Sequence, residues 1–303
     1  MPPLPCWKGR SCSIEGPALK LLLTGPTGQV GWELQRRLSL LGQVVALDRA
    51  ALDLTHPETV AAVVRSNRPD LIVNAAAYTA VDRSEREPRA CFAVNTESVA
   101  LLAQEAAGLG ALLVHYSTDY VFDGAKRRPY IESDPTGPIN TYGRSKLAGE
   151  QEIARSGCRH LILRTSWVYA MRGRNFVLTM LKLARERPEL RVVNDQFGAP
   201  TWARDLADAT LAALHRPEPL EGLYHVAAAG STTWFEFAGR LLRLAGLDTP
   251  VAPIASSEYP TPAARPAYSV LDSGRFEQAT GVRIGPWDER LAACLTGSET
   301  GRG

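Results

Sequence analysis

The stretch LKLLLTGPTGQVG, residues 19–31, says more about the fold than any other part of the chain. Its first half, LKLLLT, is a short apolar run that stops at a glycine, as a strand covered on both faces does. Its second half places Gly25, Gly28 and Gly31 in a G-x-x-G-x-x-G spacing. Glycine at such places permits a tight turn, close approach of backbone to a pyrophosphate, and close packing of helix on strand. Residues 28–41 then carry helical spacing through Val30, Leu34, Leu38 and Leu41. A helix starting there offers unpaired N–H groups and the positive end of its dipole to an anion.

Outward from this unit the same alternation repeats. Strands are expected at 44–47, 71–74, 111–116 and 161–163, with helices at 57–65, 88–107 and 139–155 between and after them. The inner strands are continuously apolar rather than alternating. This predicts an α/β fold, a Rossmann-type doubly wound parallel sheet with helices on both faces. Beyond Trp167 the rhythm loosens. Helices are expected at 175–187, 203–214 and 233–245, and the Pro-, Ala- and Ser-rich stretch 251–269 reads as loops. The expected organisation is a disordered extension (1–18), a dinucleotide-binding domain with the reactive groups (19–167), a smaller mixed α/β lobe for substrate (168–295) and a flexible tail (296–303). Some segments of the lobe are expected to return to the first domain.

Composition narrows the class. The chain has 303 residues, 45% of them hydrophobic, and a formal charge of +2. That is an ordinary globular balance with no support for nucleic acid as a partner. No apolar run approaches the roughly 20 residues that span a bilayer. Five cysteines, Cys6, Cys12, Cys91, Cys158 and Cys294, are odd in number and widely spaced. They read as reduced thiols of a cytoplasmic protein.

Several side chains fall where ligands of such a sheet lie, beyond the carboxyl ends of its strands. Asp48 follows the second strand, about 20 residues past the glycines, where a carboxylate accepts bonds from an adenine ribose. It favours NADH, whereas Arg49 offers a partner to the extra phosphate of NADPH. Asn74, Ala75, Ala76, Ala77 and Tyr78 close the third strand, their small side chains leaving room for a cofactor. Thr118 and Asp119 close the fourth. Tyr142 and Lys146 form Tyr-x-x-x-Lys on an expected helix, which puts both on one face. A free phenol titrates near 10, and a neighbouring ammonium is expected to lower that value. Tyr142 then serves as general acid to a carbonyl oxygen while hydride reaches the carbon, with Lys146 also holding the nicotinamide ribose and Thr118 bonding the carbonyl oxygen.

These residues together resemble the extended short-chain dehydrogenase/reductase superfamily. Longer blocks are similar to its dTDP-4-dehydrorhamnose reductase family: HYSTDYVF at 115–122, YGRSKLAGE at 142–150, RTSWVY at 164–169, NDQFGAPT at 194–201 and YPTPA at 259–263. The resemblance covers about residues 19–295. It implies reduction of the C4 ketone of dTDP-4-dehydro-β-L-rhamnose to dTDP-L-rhamnose with NADH or NADPH, the last step of dTDP-rhamnose synthesis. By motif match Tyr142 is the proton donor and Lys146 its partner. Thr118 and Asp119 match positions near the sugar, and Trp167 an aromatic that packs on it. Gly28, Gln29, Val30, Asp48, Asp53, Leu54, Ala77, Tyr78 and Thr79 match cofactor contacts.

The chain departs from the family in two places. Some members hold Mg²⁺ at a homodimer interface through glutamates. Glu33 matches one of them, but the helix after Pro200-Thr201 carries Arg204, a cation where the metal needs an anion. The extension 1–18 has no family counterpart. Two rival readings remain. A nucleotide-sugar epimerase or 4,6-dehydratase shares the cofactor and the Tyr/Lys pair. Dehydratases, however, follow the reactive Thr with Asp-Glu, and here Asp119 precedes Tyr120. The second rival is a regulatory subunit like the β subunit of methionine adenosyltransferase. Retention of Thr118, Tyr142, Lys146 and Trp167 speaks for catalysis instead.

Overall fold

The computed structural model describes residues 19–297. The expected extension 1–18, with Cys6 and Cys12, and most of the expected tail lie outside the described residues. The strands in chain order are β1 (Leu19–Thr24), β2 (Gly42–Leu47), β3 (Leu71–Asn74), β4 (Leu112–Thr118), β5 (His160–Thr165), β6 (Val168–Tyr169), β7 (Leu190–Val193), β8 (Phe197–Gly198), β9 (Thr201–Trp202), β10 (Gly222–His225), β11 (Thr232–Thr233) and β12 (Val251–Ile254). The helices are α1 (Gln29–Leu38), α2 (Val60–Asn67), α3 (Val81–Ser84), α4 (Pro88–Phe92), α5 (Ser98–Leu109), α6 (Thr141–Ser156), α7 (Phe176–Glu186), α8 (Ala203–Leu214), α9 (Trp234–Leu244), α10 (Gly274–Thr280) and α11 (Trp287–Gly297).

Six strands form one parallel sheet in the order β10-β5-β4-β3-β1-β2. Successive residues of a strand point to opposite faces, so an unbroken apolar run feeds two cores at once. Leu21, Leu23, Leu71, Val73, Leu112, Val114, Leu161 and Leu163 bury against α1 and α8. Their neighbours Leu22, Ile72, Leu113 and Ile162 bury against α2, α5 and α6. The strand order reverses between β1 and β3, which opens a crevice at the carboxyl edge there. The pairs Thr24↔Asn74 and Thr118↔Thr165 bring the strand ends to that edge in register.

Two expectations about elements need correction. Residues 88–107 do not form one α-helix. A π-helical segment, Ala93–Glu97, interrupts it between α4 and α5. Composition gave no sign of it, because a π-bulge shifts one hydrogen bond without needing a breaker residue. Nor is 251–269 all loop: Val251–Ile254 is a strand, parallel to β7. Pro253 fits there because a two-stranded sheet has an open edge that needs no N–H from it. The later part of the chain also has its own apolar core, in which Tyr169, Val177, Leu190, Trp202, Phe237 and Leu241 are buried. β10 leaves that region and joins the main sheet beside β5.

Candidate active site

The glycine turn is built as its spacing requires. Gly25 sits in the left-handed region (φ 67°), and a Cβ there would stand 2.9 Å from the Ala76 backbone. Gly31 packs so closely that a Cβ would lie 2.0 Å from the Gly25 carbonyl oxygen. Gly28 is the extended N-cap of α1 with no side-chain cap, so the first N–H groups of the helix face the crevice with no intrahelical acceptor. Gln29 and Val30 form the first turn. The Gln29 side chain accepts from Asn175 Nδ2 (2.7 Å), which ties the turn to the segment before α7. A backbone turn this tight, leading straight into an uncapped helix N-terminus, fits a dinucleotide diphosphate.

The other expected cofactor contacts lie along the same edge. Asp48 and Arg49 follow β2 and are exposed. Asp48 Oδ1 accepts the Ala51 N–H (3.0 Å), and Arg49 pairs with Asp53 (3.1 Å). The Thr55 N–H and hydroxyl hold the Asp53 carboxyl down to about 2. Leu54 is buried, and its carbonyl accepts from Ser98. Ala76, Ala77, Tyr78 and Thr79 continue from β3. Asn95, on the π-helical segment, anchors that loop. Its Oδ1 accepts the Tyr78 N–H (2.9 Å), and its Nδ2 donates to the Tyr78 carbonyl (3.1 Å) and to Ser145 Oγ (3.0 Å). Asn95 therefore joins the loop after β3 to the helix that carries Tyr142.

That helix, α6, starts at Asn140, whose Oδ1 accepts the Gly143 N–H (2.7 Å). A Cβ at Gly143 would stand 2.1 Å from the Tyr120 carbonyl oxygen, so glycine lets α6 lie directly on the end of β4. Tyr142 and Lys146 both reach β4. The Tyr142 ring packs edge-on against Tyr120, with centroids 5.9 Å apart, which sets it beside Thr118 at the end of β4. Thr118 Oγ1 also accepts the Tyr120 N–H (3.1 Å) and donates to Asp119 Oδ1 (3.0 Å). Lys146 is buried, and its Nζ donates to the Tyr116 carbonyl (2.6 Å) and lies 3.0 Å from His115 Nε2.

The electrostatics differ from the sequence expectation. Burial pushes the Tyr142 phenol well above its ordinary value, and the Thr118 hydroxyl only partly opposes this. Lys146 does not lower it, because Nζ is spent on β4 rather than on the phenol. Burial depresses Lys146 itself to about 8. Asp119, also buried, is raised to about 7, with the Ser269 and Thr118 hydroxyls opposing. Tyr142 therefore holds its proton throughout the neutral range, as a proton donor must.

Trp167 has a left-handed backbone (φ 46°), a strained state for a bulky residue. Its ring stacks on Trp234 at the start of α9, with centroids 3.5 Å apart and planes 4° from parallel. Residue reading missed Trp234, Asn95 and His115. Two had signals. Thr233-x-x-Glu236 is a capping box that marks the start of α9 beside Trp234, and His115 stands alone as an imidazole inside an apolar strand. At the position matched to a magnesium ligand, Arg204 Nε lies 3.4 Å from Glu33 Oε2. That corner, where a guanidinium already meets the carboxylate, does not suit a dication.

Comparison with known proteins bears on the same edge. The family described as RmlD substrate binding domain matches residues 19–299. The chain belongs to the dTDP-4-dehydrorhamnose reductase family. It is 49% identical over 292 residues to the dTDP-4-dehydrorhamnose reductase of Burkholderia thailandensis, covering 91% of this chain and 98% of that one. The enzyme of that name from Escherichia coli K12 is 48% identical over 285 residues, covering 89% and 94%. Among solved structures, the Bacillus anthracis dTDP-4-dehydrorhamnose reductase in complex with NADP superposes with a TM-score of 0.88 at 37% identity, over 92% of this chain and 99% of that one. The parallel sheet and flanking helices are thus those of solved family members, in agreement with the fold expected from residues 19–31.

Proposed function

We propose that this chain reduces the C4 ketone of dTDP-4-dehydro-β-L-rhamnose to dTDP-L-rhamnose, using hydride from NADPH or NADH. Relatives of that name match it over nearly their whole length at close to half identity, and a family member was solved with NADP. The observation that carries the chemistry is the Tyr142 phenol, kept protonated by burial and set on the carboxyl edge of β4 by the packing of α6 against Tyr120.

The residues to hold the cofactor are Gly25, Gly28, Gln29 and Val30 for the diphosphate, Asp48, Arg49, Asp53 and Leu54 for the adenosine half, and Ala76, Ala77, Tyr78 and Thr79 along its length. When bound, the cofactor supplies the hydride. Tyr142 gives its proton to the ketone oxygen as the carbon is reduced, and Thr118 shares that oxygen by hydrogen bond. Lys146, one turn along α6 from Tyr142, holds the nicotinamide ribose. Asp119 lies beside the sugar, and Trp167, braced by Trp234, offers it an apolar wall. Arg49 is exposed and adjacent to Asp48, so it can turn from Asp53 to a 2′-phosphate. No magnesium step enters.

In this reading residues 19–167 bind cofactor and 168–295 mainly bind substrate, apart from segments such as β10 that complete the first unit. The enzyme works on a small-molecule nucleotide-sugar in the cytoplasm, without nucleic acid, as a monomer or a homodimer. The test is to mix the protein with enzymatically generated dTDP-4-dehydrorhamnose, follow loss of reduced nicotinamide, and read product stereochemistry by NMR. Formation of dTDP-L-rhamnose with stoichiometric cofactor oxidation is expected. Tightly retained NAD with no net oxidation would point to an epimerase instead.

A further inference from the structure

We propose that His115 is a positioning residue for Lys146: Asn74 decides which imidazole nitrogen carries the proton, and the imidazole presents that N–H to Lys146 Nζ. The proposal deepens the Tyr142–Lys146 reading above and rests on it.

The hydrogen-bond chain begins at the glycine turn. Thr24, the last residue of β1, accepts the Ala76 N–H at 3.4 Å and donates its hydroxyl to Asn74 Oδ1 at 2.6 Å. With Oδ1 so occupied, Asn74 Nδ2 faces His115 Nδ1 at 3.0 Å. An amide nitrogen only donates, so Nδ1 must accept. A neutral imidazole has one proton, which therefore sits on Nε2. His115 has no exposed surface, and burial, helped by Lys146, keeps its ring well below the ordinary imidazole range and so neutral. Its Nε2–H then points at Lys146 Nζ, 3.0 Å away, while Nζ donates onward to the Tyr116 carbonyl. Every donor points the same way from Ala76 to Tyr116, and bonds in such a chain polarise one another.

A donor facing Nζ suits an amine and opposes an ammonium. The other groups facing Lys146 do not substitute for His115. Glu150, on the same helix, raises its proton affinity, but both carboxylate oxygens are held by Arg164 at 2.9 and 2.6 Å. Cys91 on α4 has its thiol raised by burial and stays neutral, as does the Tyr142 phenol. Among the described residues, His115 supplies the one side-chain hydrogen-bonding contact to Nζ. For Lys146 to hold a third proton in comfort, the chain must reverse. Nε2 accepts, Nδ1–H donates to a turned Asn74 amide, and Asn74 Nδ2 donates to Thr24. Protonation of Lys146 and the sense of Asn74 are thus one event.

Asn74→Asp separates them, because a carboxylate only accepts. It holds Nδ1–H and leaves the Nε2 lone pair for an ammonium. The experiment uses full-length protein labelled with ε-¹³C-lysine, the Lys146 resonance being identified by its loss in Lys146→Arg. In Asn74→Asp the Lys146 midpoint should rise by roughly 1–3 pH units, the size of a nearby opposite charge, and the limb of kcat/KM that follows it should move equally. In the wild type, imidazole ¹⁵N spectra should show the His115 proton on Nε2 above the Lys146 midpoint and on Nδ1 below it. A wild-type ring protonated on Nδ1 at every pH, or a midpoint unmoved in Asn74→Asp, overturns the proposal. If Asn74→Asp does not fold, Thr24→Val, which releases the amide, should raise the midpoint by a smaller amount, and no rise overturns the proposal equally. The titration needs no turnover. A protein with the expected spectra that fails to reduce the nucleotide-sugar would remove the substrate assignment and leave this wiring intact.

Discussion

Gly31→Ala tests the glycine turn through a clash that can be sized. The new Cβ would stand 2.0 Å from the Gly25 carbonyl oxygen, 2.8 Å from its carbon and 3.0 Å from Pro26 Cα, all backbone atoms that cannot rotate away. Ordinary contact begins near 3.4 Å, so the turn and α1 must part by more than roughly 1 Å, a displacement that is costly to any preset geometry. Overpacking of this kind destabilises by about 1–3 kcal/mol. The same displacement pulls the first N–H groups of α1 off the diphosphate. Loss of one charge-assisted hydrogen bond is about 1.5–3 kcal/mol, or roughly 10–100-fold in Kd for NADPH. The control is Gly157→Ala. Gly157 has φ 69° with no atom within 4 Å of a Cβ, so only the left-handed penalty of about 1–2 kcal/mol applies. Thermal melts should place the two variants at similar stability, and NADPH titration should separate them. If Gly31→Ala binds NADPH as tightly as Gly157→Ala does, the turn does not hold the diphosphate.

Two further outcomes follow from the site. Thr118→Val should lower kcat by roughly 2–10-fold, because one hydrogen bond of about 0.5–1.5 kcal/mol is lost while the proton source stays; a loss as large as that in Tyr142→Phe would contradict the division of roles. Asp119 is raised in the folded state to about 7, so between the unfolded value near 4 and about 7 the native form binds the extra proton, and stability declines as pH rises through that window. Asp119→Asn removes the decline, so its Tm relative to wild type should be higher at about pH 8 than at about pH 5, and a pH-independent difference would refute the assignment.

How much was legible in the sequence depends on how local the cause was. The turn at Gly25, Gly28 and Gly31 could be read because backbone close approach permits one residue type there. The bounds of β3 and α8 could be read because unbroken or 3.6-periodic apolar residues are enough to mark them. The π-segment could not, since it needs no breaker residue, and neither could the pairing of β12 with β7 or the stack of Trp167 on Trp234, each of which depends on a partner distant in the chain. Tyr142 and Lys146 could be placed on one face of a helix, but not their contacts with β4, and so their electrostatics were misjudged. The i, i+4 spacing does not reveal that His115 and the Tyr116 carbonyl take up Nζ.

The central claim is that Tyr142 is the proton source, and single-turnover reduction by Tyr142→Phe with saturating NADPH measures that directly. The rate should fall by about 10²–10⁴-fold, or roughly 3–5 kcal/mol of barrier, with the Kd for NADPH unchanged. A Tyr142→Phe enzyme that reduces the ketone at the wild-type rate would contradict it.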